Sequence, residues 1–224
     1  MQTATLGLEQ YLDDFSALLK KVDLTEVQTL LNLLTHAYRN DRFVFIIGNG
    51  GSGANASHLC QDLGKGTLHN FEKQKRLRVM SLTDNTPYIL AYGNDLGYDR
   101  IFVEQLKNFA QPGAVLLAIS GSGNSPNILK AVEWADTHGL TTVGITGYDG
   151  GKLKKMCHHS LHVPSFNMGA VEAVHAVLFH YLVEVLCVRF RAAEGRRGGF
   201  PLSRRGLSRT VQDRRERSKP LYRA

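Results

Sequence analysis

The chain has 224 residues, of which 43% are hydrophobic, enough to bury one core. It holds no run of about 18 apolar residues, and its first residues lack the basic and apolar regions of a signal peptide, which argues against a membrane protein. Three scattered cysteines make no disulfide framework. We therefore expect one domain in the cytoplasm.

The net charge of +7 is distributed unevenly along the chain. Residues 189–224 contain 12 Lys or Arg and three acids, whereas residues 1–188 contain 15 basic and 17 acidic residues, a balance of −2. Residues 191–224 have few large apolar side chains, so burial cannot offset the entropy of ordering them. We predict a folded domain over residues 1–190 and a disordered basic tail over 191–224. A solvated extension is the simple interpretation, and an arm for nucleic acid or an acidic partner is the alternative.

Two helices are predicted ahead of the first strand. Residues 7–20 carry apolar side chains at helical spacing, and Asp23 followed by Glu26 resembles a cap that opens a second helix through Tyr38. One sheet does not need two extra helices to cover it, so we predict that part of the surface of these helices forms a subunit interface.

A strand, a glycine-rich turn and a helix follow. Phe43–Ile47 suits a buried parallel strand, Gly48–Gly53 is a turn of Gly, Asn and Ser, and residues 54–63 have helical character. This arrangement aims backbone N–H groups at an anion. The turn matches the dinucleotide pattern G-x-G-x-x-G, but the acid that follows the second strand, Asp84, lies 36 residues after Gly48 rather than the usual ~20. The spacing argues against a nucleotide cofactor.

Strands and helices alternate in the rest of the domain. Helices are predicted at 85–92, 100–109, 126–138 and 168–190, with a short basic helix after Gly151. Strands are predicted at 77–82, 114–119, 141–146 and 160–163. Repeated βα units predict an α/β fold with a doubly wound, largely parallel sheet between two helical layers. Ligands bind such sheets at the carboxyl ends of the strands.

A second polar turn, Ser120-Gly121-Ser122-Gly123-Asn124-Ser125, lies between a buried strand and a helix. Hydroxyls and helix N-terminal amides together bind a phosphate group without lysine or metal. Capping of the next helix would explain one of the serines but hardly all three. A phosphate site beside a separate Asn/Gly/Ser turn predicts a small phosphorylated sugar as ligand.

The segments GNGGS at 48–52 and ISGSGNS at 119–125, with the helix that carries Glu172 and His180, resemble the SIS (sugar isomerase) domain family. Within it the chain resembles the phosphoheptose isomerases, which convert sedoheptulose 7-phosphate to D-glycero-D-manno-heptose 7-phosphate. The resemblance covers residues 5–190. It implies a flavodoxin-like three-layer fold, a homotetramer with active sites shared between subunits and, as in several members, a bound zinc.

The resemblance also implies roles for individual residues. Asp62 would be the catalytic base and His180 the catalytic acid. The residues that would bind the phosphosugar are Asn49, Gly50, Gly51, Ser52, Asp84, Ser120, Gly121, Ser122, Ser125 and Glu172. The residues that would bind the metal are His58, Asp62, Glu172 and His180. The chain departs from the family at three of these positions, with Asp62 for Glu, Glu172 for Gln and Gly121 for Thr.

The spacing of the titratable residues agrees with the resemblance in part. His58 and Asp62 are four residues apart, and Glu172 and His180 are eight apart, so each pair shares one helix face. Two such helices can form a divalent metal site or an acid–base pair. For His175 we favour a structural role, as a histidine of the core. For Cys157-His158-His159 we favour a surface turn over a metal site.

Two functions from different classes remain open. One is an aldose–ketose isomerase that works through an enediol, with any zinc polarising the carbonyl. The other is a SIS domain that only senses a phosphosugar or binds a protein, like the replication-initiation helper that resembles phosphoheptose isomerases. A pure binding protein does not need Asp62, Glu172 and His180 together, so we predict an enzyme.

Overall fold

The structure, a computed structural model, describes the backbone of residues 7–195 and the side chains of residues 7–193. It contains a five-stranded sheet in the order β2-β1-β3-β4-β5, with every neighbouring pair of strands parallel. The strands are β1 Val44–Gly48, β2 Val79–Ser81, β3 Val115–Ser120, β4 Thr141–Thr146 and β5 His159–His162. The α-helices are α1 Leu8–Leu19, α2 Leu24–Arg39, α3 Gly50–Gln61, α4 Thr86–Leu96, α5 Val103–Phe109, α6 Pro126–Thr137, α7 Gly151–Met156 and α8 Met168–Gly195.

The sheet is buried on both faces, which is why its strands are continuous apolar runs. In β1, Val44 and Ile46 face one helical layer, and Phe45 and Ile47 face the other, because successive strand side chains point to opposite faces. One layer contains α1, α2, α3 and α8. The other is built mainly from α5, α6 and α7. The predicted three-layer α/β fold is confirmed.

Several boundaries differ from the sequence prediction. β2 spans only Val79–Ser81, and the helix predicted from residue 100 is divided into a 3₁₀ turn at Tyr98–Arg100 and α5. α8 extends to Gly195, so residues 191–195 are helical rather than part of a disordered tail. The remainder of the predicted tail, 196–224, lies outside the described residues.

The predicted cap of α2 forms, but not as a reciprocal pair. The carboxylate of Asp23 accepts a bond from the Thr25 N–H at 2.7 Å. Glu26 turns away from it and accepts a bond at 2.7 Å from the backbone N–H of His162, in β5. Glu26 therefore ties α2 to the last strand.

α8 is the longest helix described, and residues 168–193 are long and apolar enough to cross a membrane by length and composition alone. Core helices of soluble proteins meet the same criterion. Here Val171, Val174, Leu182, Leu186 and Phe190 are buried in the core shared with α1, α2 and α3. Core packing therefore accounts for part of the apolar character of α8, whereas Val177, Tyr181 and Val188 are exposed.

Candidate active site

The two polar turns predicted from the sequence lie side by side at the carboxyl edge of the sheet. β1 and β3 are adjacent strands, and Gly48 at the end of β1 is in register with Ile119 near the end of β3. β2 lies on one side of β1 and β3 lies on the other, so the strand order reverses between β1 and β3. Doubly wound sheets bind ligands there.

A cavity of about 190 Å³ opens between the two turns. Seven predicted site residues line it together with Ile119 and Met168: Asn49, Ser52, Ser120, Gly121, Ser122, Ser125 and Glu172. Gly50 and Gly51 begin α3 beside it. Among the residues that the structure describes, the lining contains no Lys or Arg, so neutral donors and the N-termini of α3 and α6 would have to bind an anion.

The serine turn is arranged for a ligand rather than for capping alone. Ser125 is the N-cap residue of α6, yet its side chain makes no capping hydrogen bond. Its Oγ lies 3.4 Å from the Oγ of Ser120. Gly123 adopts φ +64°, a conformation that favours glycine, and a Cβ there would overlap the carbonyl of Gly150. The turn thus brings the hydroxyls of Ser120 and Ser125 together in the lining of the cavity.

Gly121 has little room for a side chain. A Cβ on Gly121 would overlap the Sδ atom of Met168 at the start of α8. Met168 therefore occupies space that a threonine side chain would need. The two residues are matched to one another.

Glu172 belongs to this cavity. Its carboxylate lies against Gly51, where a Cβ would overlap it, and its Oε1 lies 3.4 Å from the Ser52 hydroxyl. The side-chain amide of Asn55 donates to the backbone carbonyl of Glu172 at 3.0 Å. These contacts fix the first turns of α8 against α3, with a carboxylate facing the ligand space.

Asn49 is held by two residues that the sequence analysis did not identify. Asn49 and Asn127 exchange two amide hydrogen bonds of 2.9 Å, and the Tyr98 hydroxyl donates to Asn49 Oδ1 at 3.0 Å. Asn127 is buried on the apolar face of α6. An amide side chain at a position where apolar residues are expected is a sequence signal that could have identified Asn127 as a site residue. Tyr98 lies in the 3₁₀ turn and carries no comparable sequence signal.

A second cavity of about 290 Å³ lies on the other side of Asn49, lined in part by Gly53, Ser57, Thr83 and Tyr98. Asp84 stands near it rather than in the serine-lined cavity. Its carboxylate accepts hydrogen bonds from the hydroxyls of Ser57 and Thr83. Of the predicted sugar-binding residues, Asp84 is therefore separated from the serine turn.

The two predicted catalytic residues meet in a second cluster. Asp62 Oδ2 lies 3.3 Å from His58 Nε2 and 3.4 Å from His180 Nδ1. Asp62 opens a five-residue π-helical segment, Asp62–Gly66, and such segments are frequent at functional sites. The side chains of the two histidines are 53% and 55% exposed, and that of Asp62 is 21% exposed. One carboxylate thus lies between two imidazoles at the surface.

Three of the four predicted metal ligands come together in this cluster. His58, Asp62 and His180 each offer a ligand atom within 4.8 Å of the other two, and Glu172 is not in the group. Two imidazoles and one carboxylate with an open fourth position is the donor set of catalytic zinc sites. The three residues fit a divalent cation. Glu172 and His180 are eight residues apart on α8, about 12 Å along the helix axis, so α8 contributes one residue to the cavity and another to the cluster.

Two other histidine groups lie outside the Asp62 cluster, and the surface turn predicted at Cys157-His158-His159 is wrong in part because His159 begins β5. His175 is buried, its Nε2 lies 3.3 Å from the Thr146 carbonyl, and burial lowers its pKa to about 4. His158 bonds through Nδ1 to Thr142 and lies 3.2 Å from Asp136. The neighbouring Cys157 is half-buried rather than at the surface, and burial raises its thiol pKa to about 12, so it is a poor metal ligand.

Comparison with known proteins places this geometry in context. The SIS domain family model matches residues 10–147. The phosphoheptose isomerase of Rhodospirillum rubrum is 39% identical over 67% of this chain and 78% of its own, and that of Fusobacterium nucleatum is 34% identical over 79% and 91%. A phosphoheptose isomerase structure from Francisella tularensis is similar with a TM-score of 0.74 and 28% identity, covering 81% of this chain and 96% of that one.

Proposed function

Because the chain belongs to the SIS domain family and, within it, to the phosphoheptose isomerase-like aldose–ketose isomerases, we propose that it converts sedoheptulose 7-phosphate to D-glycero-D-manno-heptose 7-phosphate. The observation that carries this proposal is that a serine-lined cavity and an exposed Asp–His cluster occur together, with α8 contributing Glu172 to the first and His180 to the second. The cavity suits a phosphate, and the cluster suits proton transfer. The relatives named as phosphoheptose isomerases support the substrate.

The phosphate binds at the turn Ser120–Ser125 and the N-terminus of α6. Hydroxyls of Ser120, Ser122 and Ser125 donate to its oxygens, and the helix N-terminus favours its charge. Glu172 has a carboxylate in the same cavity, which repels a phosphate dianion but accepts hydrogen bonds from sugar hydroxyls. The sugar chain therefore extends along Glu172, away from the serines. Phosphate binding supplies positioning energy remote from the reacting carbons.

Proton transfer takes place at the cluster. In the open-chain ketose, Asp62 removes a proton from C1, and His180 donates a proton to the C2 oxygen, which gives the enediol. Return of a proton to C2 and loss of the proton from the C1 oxygen then give the aldose, with no net change in atoms or electrons. Paired groups of this kind typically contribute ~10² to 10⁴-fold each.

A divalent cation fits this site. His58, Asp62 and His180 would hold it, and when bound it would supply Lewis-acid polarisation of the substrate oxygens. Asp62 would then serve as ligand as well as, or instead of, base. Measuring zinc in the purified protein and in Asp62→Asn separates these two roles.

We also propose a homotetramer whose active sites are completed between subunits. Exposed apolar side chains support an interface: Leu8 and Leu12 on α1 are 71% and 55% exposed, and Val177 and Tyr181 on α8 are 46% and 51% exposed. Val177 and His180 are three residues apart on α8 and share a helix face, so a partner packed on Val177 would lie beside the cluster. Light scattering is expected to give a tetramer, and an active monomer would contradict shared sites. The cytoplasmic location stays a prediction.

The proposed reaction is tested by incubating the full chain with a panel of ketose phosphates and following aldose formation by NMR. We expect turnover of sedoheptulose 7-phosphate in preference to pentulose and hexulose phosphates. Preferred turnover of a shorter ketose phosphate would overturn the substrate assignment. Tight binding without turnover of any ketose would instead favour the phosphosugar-sensing function.

A further inference from the structure

The loop that follows β4 packs directly against the serine turn. We call residues 147–151 the β4–α7 loop. The Gly147 N–H donates to the Gly121 carbonyl at 2.9 Å, and the Leu153 N–H, in α7, donates to the Gly123 carbonyl at 3.0 Å. The serine turn is therefore held from the side of β4 and α7 as well as by β3 and α6, the elements that it joins.

The β4–α7 loop is itself held in place by contacts outside it. Tyr148 adopts φ +49°, a left-handed conformation that is uncommon for a bulky side chain. Its N–H donates to the Ser165 carbonyl at 2.9 Å, and its ring stacks on Phe166 with centroids 5.3 Å apart. A strained residue of this kind persists only where the surrounding structure fixes it. The contacts of Tyr148 with the segment before α8 therefore make the loop a firm support for the serine turn.

Asn124, to which the sequence analysis gave no role, connects the serine turn to α7 through both ends of its amide. Its Oδ1 accepts a hydrogen bond from the Lys152 N–H at 3.2 Å, and its Nδ2 donates to the Ser122 carbonyl at 2.9 Å. Gly151 leaves room for this amide, because a Cβ there would overlap Asn124 Nδ2. An amide suits the position because it accepts at one atom and donates at another.

Asn124 also determines what the Ser122 hydroxyl can offer a ligand. The backbone N–H of Asn124 donates to Ser122 Oγ at 3.3 Å, so the hydroxyl oxygen already accepts one hydrogen bond. Within the described residues the Ser122 hydroxyl makes no hydrogen bond as a donor, and Ser122 lines the cavity. Its hydrogen is therefore available to a phosphate oxygen.

We propose that Asn124 is a positioning residue for phosphate binding, which ties the serine turn to α7 and so keeps the Ser122 hydroxyl in place as a donor to the ligand. The inference rests on the proposed function only in taking the serine-lined cavity as a phosphate site. Asn124 is exposed and is not among the residues that line the cavity, so it acts through Ser122 rather than by contact with the phosphate. Its loss should impair ligand binding more than folding.

The test is a titration of the full chain with inorganic phosphate, followed by phosphorus NMR, for the native chain, Asn124→Ala and Asn124→Asp. Asn124→Ala removes both amide bonds, so phosphate should bind about two- to tenfold more weakly. Asn124→Asp keeps the acceptor for Lys152 but replaces the donor with a negative charge. It should bind phosphate about tenfold more weakly than Asn124→Ala, and this difference should shrink as salt is added. Both melting temperatures should stay near that of the native chain.

The matched control is Asn108→Ala, which removes an exposed amide on α5 whose Nδ2 donates to the Tyr92 hydroxyl at 2.9 Å. It should bind phosphate like the native chain. A double variant, Ser122→Ala/Asn124→Ala, should bind phosphate little more weakly than Ser122→Ala alone, because the amide acts through Ser122.

Native phosphate affinity in Asn124→Ala, or losses that add in the double variant, would overturn the proposal. Absence of phosphate binding to the native chain would overturn it as well. Phosphate binding that depends on Asn124 in a chain that turns over no ketose phosphate would support this inference and contradict only the proposed function.

Discussion

The amide pair between Asn49 and Asn127 makes a sharp test of how the first turn is positioned. Asn127 is 1% exposed, and its side chain also accepts a bond from the Ile128 N–H at 2.9 Å. Asn127→Ala removes the two 2.9 Å bonds to Asn49. At about 1 kcal/mol for each neutral hydrogen bond, together with the buried volume lost, we expect a loss of about 2–4 kcal/mol in the free energy of unfolding. Asn49 then loses its orientation, and kcat/KM should fall about 10- to 100-fold.

Tyr98→Phe removes a contact of Asn49 without changing a buried residue. Tyr98 is 61% exposed, and the substitution removes only its 3.0 Å bond to Asn49. The melting temperature should stay unchanged, while kcat/KM falls by up to about tenfold, the equivalent of ~0.5–1.5 kcal/mol. Asn94→Ala, at an exposed position on α4, is the matched control and should change neither quantity.

A double-mutant cycle shows whether Asn127 acts through Asn49. The assay is the initial rate of aldose formation from sedoheptulose 7-phosphate, with stability measured by urea unfolding. In an Asn49→Ala background, Asn127→Ala should cost little further activity although it still costs stability. Additive losses in activity would refute the positioning role of Asn127.

Three further outcomes are expected. Ser122→Ala should weaken binding of the phosphosugar by ~0.5–1.5 kcal/mol, and by up to about 3 because the phosphate is charged, as measured by calorimetry, with thermal stability retained. Gly121→Thr should lower the free energy of unfolding by no more than about 1 kcal/mol in urea unfolding, because the Met168 Sδ atom that its Cβ meets is near the end of a flexible side chain, and a larger loss would show that Met168 cannot move. Burial lowers the pKa of His175 to about 4, so neutral His175 stabilises the folded chain fully above pH 6.5, and this stabilisation is lost as pH falls toward 4. Over that window the free energy of unfolding of the native chain should fall by about 3 kcal/mol more than that of His175→Leu. Equal losses in the two chains would show that protonation of His175 does not destabilise the fold.

Local patterns predicted much of this molecule. Val44–Ile47 is a run of apolar residues without polar interruption, and such runs form strands only when helices cover both faces, so the fold class followed from the sequence. The position of the serine turn in the site was also predictable, because a turn that follows a parallel strand and precedes a helix lies at the carboxyl edge of the sheet. These features depend on short-range order alone.

Long-range contacts set the limit of the sequence prediction. Asn127 lies 78 residues from Asn49 and Tyr98 lies 49 residues away, so nothing local indicates that they meet. The metal set implied by family resemblance included Glu172, whereas the packing of α8 on α3 places its carboxylate against Gly51 and Ser52. The helix end predicted at residue 190 was early, since α8 continues to Gly195 and Ala193 still packs against the core of its helical layer.

The central claim is that Asp62 moves the carbon-bound proton of a phosphosugar, and solvent exchange measures this directly. Asp62→Asn keeps the shape of the side chain and removes its basicity, while Asp13→Asn on α1 is the control carboxylate. In deuterated buffer with sedoheptulose 7-phosphate, NMR should show exchange at the carbon next to the carbonyl with the native chain and the control. Asp62→Asn should still bind the substrate but lose this exchange, along with at least about 10²-fold in turnover. Exchange and turnover at the native rate in Asp62→Asn would contradict the account.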